Sequence, residues 1–421
     1  MRVIVFVLFC LVAVSGVAAP STYRIDYQVA FEPAQKAARV SIAYKPGTAR
    51  VSSLRFRMSE KRYSAIEGDG KIVREGDMLT WTPPRAGGRL HYRYAIDHRR
   101  GGGGYDARIT PTFAIVRGDD LVPPVTVRAT RGALSQARLR AVLPAGWSGF
   151  ETAWHPLPEV TAFAVDNPDR DFDRPTGWVM AGDLGVRRDL IEVEAGGCID
   201  CGHRTCGKGC VALSVAAPKG DAVRRNDILG IAHAVVPMMY DAFGPLPQKI
   251  LIVSAGDPMW RGGLSGPRSL FLHSDRPLIS ENGSSTLIHE MVHVATRLRA
   301  VSGDDWIVEG IAEYYSMVLL NRAGLLSDAR LARGIAWMRR HGKGVKRLHT
   351  DRSSGPRTAR AVALLADLDG ELRARTRGKR SLDDVVTALR ERREVSLLDL
   401  RGISTALLAA PAKTLTTPLL D

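Results

Sequence analysis

The sequence predicts an α+β chain of more than one domain: an N-terminal antiparallel β-sandwich-like domain followed by a mainly helical one. Three observations carry that expectation. From about residue 20 to 190 apolar residues recur with period two; beyond about 212 they follow the helical repeat; and four cysteines cluster at the junction. A chain of 421 residues, 45% hydrophobic, has room for two or three packed units and is not disordered as a whole. A multi-pass membrane protein is excluded as well, because the one long apolar run lies at the extreme N-terminus.

That run sets the first boundary. Met1-Arg2 is followed by apolar residues from Val3 to Val14, then by the small residues Ser15 to Ala19 before Pro20. Charge, short apolar core and small-residue site make residues 1–19 a secretory signal peptide, with a retained N-terminal anchor as the alternative. An exported protein, periplasmic or secreted, is expected. Cys10 goes with the leader.

Residues 20–190 form the expected β-domain. Tyr23, Ile25, Tyr27, Val29 and Phe31 alternate with Arg24, Asp26, Gln28 and Ala30. The same scheme returns in Val40, Ile42 and Tyr44, in Leu54, Phe56 and Met58, and in Leu90, Tyr92, Tyr94 and Ile96. Such alternation buries one face of each strand and leaves the other in water. Gly101–Gly104 reads as a loop, and no catalytic motif occurs in this region.

Residues 191–211 are a Cys-rich linker. Cys198, Cys201, Cys206 and Cys210 are an even, clustered set, which in an exported protein reads as two disulfides of undetermined pairing. Four thiolates holding a structural zinc are the alternative.

The region 212–335 carries the chemistry. Asp221 is placed to cap a helix with Ile228, Ala232, Val235, Val236 and Met239 on its apolar side, and Ile250 to Val253 reads as a short buried strand. A Gly-rich segment, Arg261 to Pro267, leads to an expected edge strand at 269–273. Then comes His289-Glu290-Met291-Val292-His293, an H-E-x-x-H motif. In a helix its two imidazoles share one face and can reach one metal ion, while Glu290 can take a proton from the attacking water. Leu287, Ile288, Met291, Val292 and Ala295 make this helix otherwise apolar, with cap candidates from Asn282 to Ser285. A catalytic zinc needs a third protein ligand and an open position. Asp304-Asp305-Trp306-Ile307-Val308-Glu309-Gly310-Ile311-Ala312-Glu313 starts a second helix that offers Glu309 as that ligand. Glu313, one turn on, can accept a hydrogen bond from a ligand histidine and fix its tautomer.

With these residues in view, W-x-x-E-G-x-A-E-Y-Y after H-E-x-x-H resembles the gluzincin zinc metallopeptidases, the clan of aminopeptidase N, and most nearly the glycyl aminopeptidase family. The resemblance implies a thermolysin-like catalytic domain, one zinc ion per chain, and a peptide or protein substrate. Gly262-Gly263-Leu264-Ser265 sits where that family carries a G-G-L-E-H substrate-binding loop. Residues 361–385 resemble its C-terminal helical segment, here part of the expected subdomain 336–421. Three departures stand out. Ser265 replaces the glutamate that anchors a free amino terminus in such loops, so amino- and endopeptidase action both stay open. The residues after Arg401 are too few for a PDZ domain. No tyrosine follows Tyr315, which leaves His341 and His349 as candidates to stabilise the oxyanion.

Charge completes the reading. The 59 Lys+Arg against 44 Asp+Glu give a formal +15, much of it between Arg322 and Arg401. Nucleic-acid binding through this half is one reading, and export argues against it. The charge reads mainly as a solvated helical face, with peripheral contact to an anionic envelope surface or acidic peptides as the expected partners. Against a hydrolase stands a non-catalytic, zinc-containing binding or chaperone-like protein of the envelope. The oligomeric state is left undetermined.

Overall fold

A computed structural model describes residues 20–167, 172–196, 198–200, 205–206, 209–392 and 394–420; the expected signal peptide lies outside them. Strands fill the first part of the chain. A seven-stranded sheet contains Thr22–Glu32, Ala37–Lys45 and Gly88–Ala95, and a four-stranded sheet contains Val51–Arg57 and Met78–Thr82. A five-stranded sheet contains Phe113–Arg117 and Trp178–Gly182. The period-two residues face one shared core: Ile25, Val29, Val40, Ile42, Leu54, Phe56, Leu90 and Trp81 are fully buried. One pairing departs from the antiparallel expectation. Thr22–Glu32 runs parallel to Leu134–Val142, so the large sheet is mixed.

A second five-stranded sheet follows, in the order Leu184–Glu192, Cys210–Pro218, Lys249–Ala255, Ser269–His273, Gly263–Gly266. Its 184–192 strand pairs with 210–218, so the boundary expected at 190 falls inside a strand of this sheet. Its middle strands are buried on both faces, which explains why Ile250 to Val253 read as a continuous apolar run. Ile250 and Ile252 face the helical core, together with Leu213 and Val215 of the adjacent strand. Leu251, Val253 and Phe271 face Ile115, Trp178 and Met180 of the N-terminal strands.

Two details of this sheet differ from expectation. The edge strand is Gly263–Gly266 itself, and 269–273 is the strand inside it. The helix expected after Asp221 starts later, as Arg225–Phe243, with no side-chain cap. The Cys-rich segment closes a disulfide between Cys198 and Cys210, with Cα atoms 5.0 Å apart. Two of the four thiolates are thereby used, so a four-thiolate zinc site does not form. Cys201 and the Cys206 side chain lie outside the described residues.

Helices fill the rest: Thr286–Thr296, Asp305–Arg322, Asp328–His341, Pro356–Arg375, Leu382–Arg390 and Leu397–Leu408. The subdomain boundary expected at 335 falls within the 328–341 helix. Ser381 and Asp384 form a capping box at Leu382, as the Ser-Leu-Asp-Asp sequence leads one to expect. Gly310 lets the 305–322 and 356–375 helices approach closely, since a Cβ there would lie 2.8 Å from Ala361 Cβ. Among the described residues no helix is long and apolar enough to cross a membrane.

Candidate metal centre

Ser285 starts the 286–296 helix: its hydroxyl accepts a hydrogen bond from the Ile288 amide, one of the cap positions the sequence offers. The helix buries Leu287, Ile288, Met291, Val292 and Ala295 and turns His289 and His293 to one side. Their Nε2 atoms lie 3.1 Å apart. The neighbouring 305–322 helix brings Glu309 to both, its carboxylate oxygens 3.3 Å from His289 Nε2 and 3.4 Å from His293 Nε2. Among the described residues this trio is the group of three whose ligand atoms lie within 4.8 Å of one another. Glu313, one turn beyond Glu309, lies 2.9 Å from His289 Nδ1. That contact puts a proton on Nδ1, the arrangement in which Nε2 is the nitrogen able to serve as a metal ligand.

The electrostatics suit a cation. Burial and the neighbouring His289 push the His293 imidazole down to about 4, which keeps it neutral. Burial would raise Glu309, but its bond to His289 and the two imidazoles hold its carboxyl below the ordinary range. At His289 burial opposes the charged form, but hydrogen bonds to Glu309 and Glu313 raise its pKa well above the ordinary value, so the cluster already stabilises a positive charge. Two imidazoles and one carboxylate, converging where all three are partly buried, fit a zinc ion by number and chemistry of donors.

Glu290 lies beside the trio and is 8% exposed. Burial raises its pKa, while the amide and hydroxyl of Ser265 favour its charged form. Gly263 is pressed against the same carboxylate: a Cβ there would sit 2.5 Å from Glu290 Cγ. The edge strand with Gly263, Leu264 and Ser265 therefore lies directly on the H-E-x-x-H helix, with Gly262 at its entrance.

The two candidate oxyanion histidines have contacts of their own. His341 stacks on Trp337, ring centroids 4.6 Å apart, at the exposed end of the 328–341 helix. His349 is exposed and packs over Gly303, ahead of the 305–322 helix. Neither makes a described hydrogen bond or ring contact to the trio. Two residues the sequence did not single out do reach the site. The charge of Arg352 acts on Glu309, and Arg117 Nη2 donates to the Ser265 carbonyl at 3.1 Å. Both are single arginines among many, without a local motif to mark them.

Solved structures of similar shape decide the fold. The chain has the fold of the M1 zinc metallopeptidases. An aminopeptidase N family protein from Idiomarina loihiensis matches with TM-score 0.62 and 14% identity, covering 87% of this chain and 70% of that one. An M1 zinc metallopeptidase from Deinococcus radiodurans matches with TM-score 0.58 and 15% identity, covering 96% and 93%. A mutant of the latter bound to a Tyr-Ser-Ala substrate matches with TM-score 0.56 and 16% identity, covering 95% and 92%. No protein-family model and no curated protein sequence matches the chain. The M1 architecture, β-rich at the N-terminus and helical toward the C-terminus, is thus kept at an identity where only the fold is comparable.

Proposed function

We propose that this chain is an exported zinc metallopeptidase that hydrolyses peptide bonds, and that His289, His293 and Glu309 hold the metal. The observation that carries the reading is the convergence of these three groups beside Glu290, beneath a free strand edge. Zinc bound there would supply Lewis acidity, polarising a carbonyl and lowering the pKa of water. Glu290 accepts the proton of the attacking water and returns it to the leaving amine, in keeping with its burial and its place beside the trio. Glu313 fixes the His289 tautomer. Gly263 offers outward backbone groups on which an extended peptide aligns as an added strand. Ser265 offers no carboxylate to a free amino terminus, so cleavage within peptides is the mode proposed.

Export is proposed from the leader sequence and agrees with the Cys198–Cys210 disulfide, a bond kept in oxidising compartments. Mass analysis of the purified protein should find a chain beginning at or near Pro20; a retained Met1 on exported protein would overturn the cleaved leader. The activity is tested with Glu290→Gln. Zinc content should stay near one per chain while cleavage of an unfolded protein falls by about 10³-fold, within the range of general acid–base catalysis. Full activity in that variant would remove Glu290 from the chemistry. Undiminished cleavage in the presence of a chelator would remove the metal.

A further inference from the structure

The free edge of the 263–266 strand ends on a cation. His273 N donates to Gly262 O at 3.0 Å, which fixes the alternation of the hairpin. Gly262 and Leu264 therefore turn their backbone groups inward, and Gly263 and Ser265 turn theirs toward the groove. The Ser265 carbonyl is already taken by Arg117 Nη2 at 3.1 Å. A peptide added to this edge can pair with Gly263 and then meets the Arg117 guanidinium instead of a continuing ladder.

Arg117 is held there by an aromatic ring. Its guanidinium lies 4.6 Å from the centroid of the Trp178 ring, and Trp178 Nε1 donates to the Leu264 carbonyl at 2.8 Å. The same indole thus fixes both the arginine and the strand. Among the described residues Arg117 forms no ion pair. The nearby acids have other partners: Asp119 pairs with Arg174 and the Gly177 amide, and Asp120 bonds Tyr94 and feels the charges of Arg62 first and of Arg117 second. A guanidinium has five N–H donors, and the bond to Ser265 uses one of them. The charge of Arg352 reaches Glu309 as well.

We propose that Arg117 is a specificity-determining residue and that the site takes peptides with an acidic side chain on the residue lying over Ser265, next to the scissile bond. The carboxylate of that Asp or Glu pairs with the free edge of the guanidinium, a planar fork suited to it. A free amino terminus at the same place meets a like charge. The inference rests on the peptidase reading of this site.

The test uses the full zinc-loaded protein and synthetic octapeptides in which Asp, Glu, Asn or Gln is scanned through each position. At one position beside the scissile bond, the acidic residue should raise kcat/KM at least tenfold over its amide. Arg117→Gln should bring that ratio to within about twofold, and Arg117→Lys should keep part of it, with zinc content and Tm as controls for folding. Equal cleavage of acid and amide peptides by the unaltered protein overturns the inference, as does a preference that survives Arg117→Gln. Binding gives an independent readout: calorimetry with Glu290→Gln should show the same acid-over-amide ratio in Kd, lost on adding Arg117→Gln. Metal-dependent cleavage without acid preference sinks this inference alone. A chain that cleaves nothing, yet binds acidic peptides through Arg117, sinks the peptidase reading and keeps the subsite.

Discussion

At Gly263 a single methyl group would sit 2.5 Å from Glu290 Cγ and 2.8 Å from Thr286 Cγ2, so the residue beside the proposed base has no room for a side chain. Gly263→Ala should leave the fold and zinc content intact and lower kcat/KM by about 10²-fold, the order expected when a reacting group is displaced by about 1 Å. The proposed ligands respond differently. Glu309→Ala should lose zinc, and an unchanged metal content would remove Glu309 from the ligand set. Glu313→Gln should weaken zinc binding by about 10–100-fold, because the carboxylate on His289 Nδ1 is replaced by a neutral group. Metal titration with a competing chelator measures both. These residues were legible because spacing alone brings i and i+4 positions to one face of each helix. His341 and His349 had no such support. Each is an isolated histidine, and its place depends on where the 341–355 connection runs.

Helices were more legible than strands in the catalytic part. The 286–296 and 305–322 helices announce themselves by apolar periodicity, and Ser381 by its capping box. The edge strand does not: Gly263-Leu264-Ser265-Gly266 has little intrinsic preference for extended structure, and its pairing with 269–273 supplies what the residues lack. Asp221 failed as a cap because the chain makes a further turn, through Val223, before the helix begins at Arg225. Where helices cross, one glycine sets the distance. A methyl group on Gly310 would lie 2.8 Å from Ala361 Cβ and 3.0 Å from Leu365 Cδ1. Gly310→Ala should therefore cost about 1–3 kcal/mol of stability by overpacking. Denaturant unfolding checks this, and a change below about 0.5 kcal/mol would show that the helices part freely at their crossing.

Across the whole molecule, the N-terminal strands and the catalytic sheet share a core of Ile115, Trp178, Met180, Leu251, Val253 and Phe271. Lys249 lies at the same junction, its Nζ donating to the Trp154 carbonyl at 2.8 Å. Burial lowers its pKa from the ordinary 10.5 to about 8, against the opposing pull of Glu151. Between these values the unfolded chain binds the extra proton, so this group makes stability rise with pH from about 8 toward 10.5. Lys249→Met should remove that part of the slope in Tm against pH, and an identical slope would place the titration elsewhere. Little of this junction was legible in the sequence. Arg117 and Ser265 stand 148 positions apart, and no periodicity links residues that meet only when two sheets stack.

Trp178 has a consequence beyond packing. It belongs to the N-terminal strands, yet it grips the Leu264 carbonyl and supports Arg117, so the sheet beside the candidate site does not own its edge strand. A chimera that transplanted the helices and their sheet onto a foreign β-scaffold would carry the proposed metal ligands and leave the proposed selectivity behind. On that reading, substitutions far from the proposed metal ligands would be enough to alter the proposed preference.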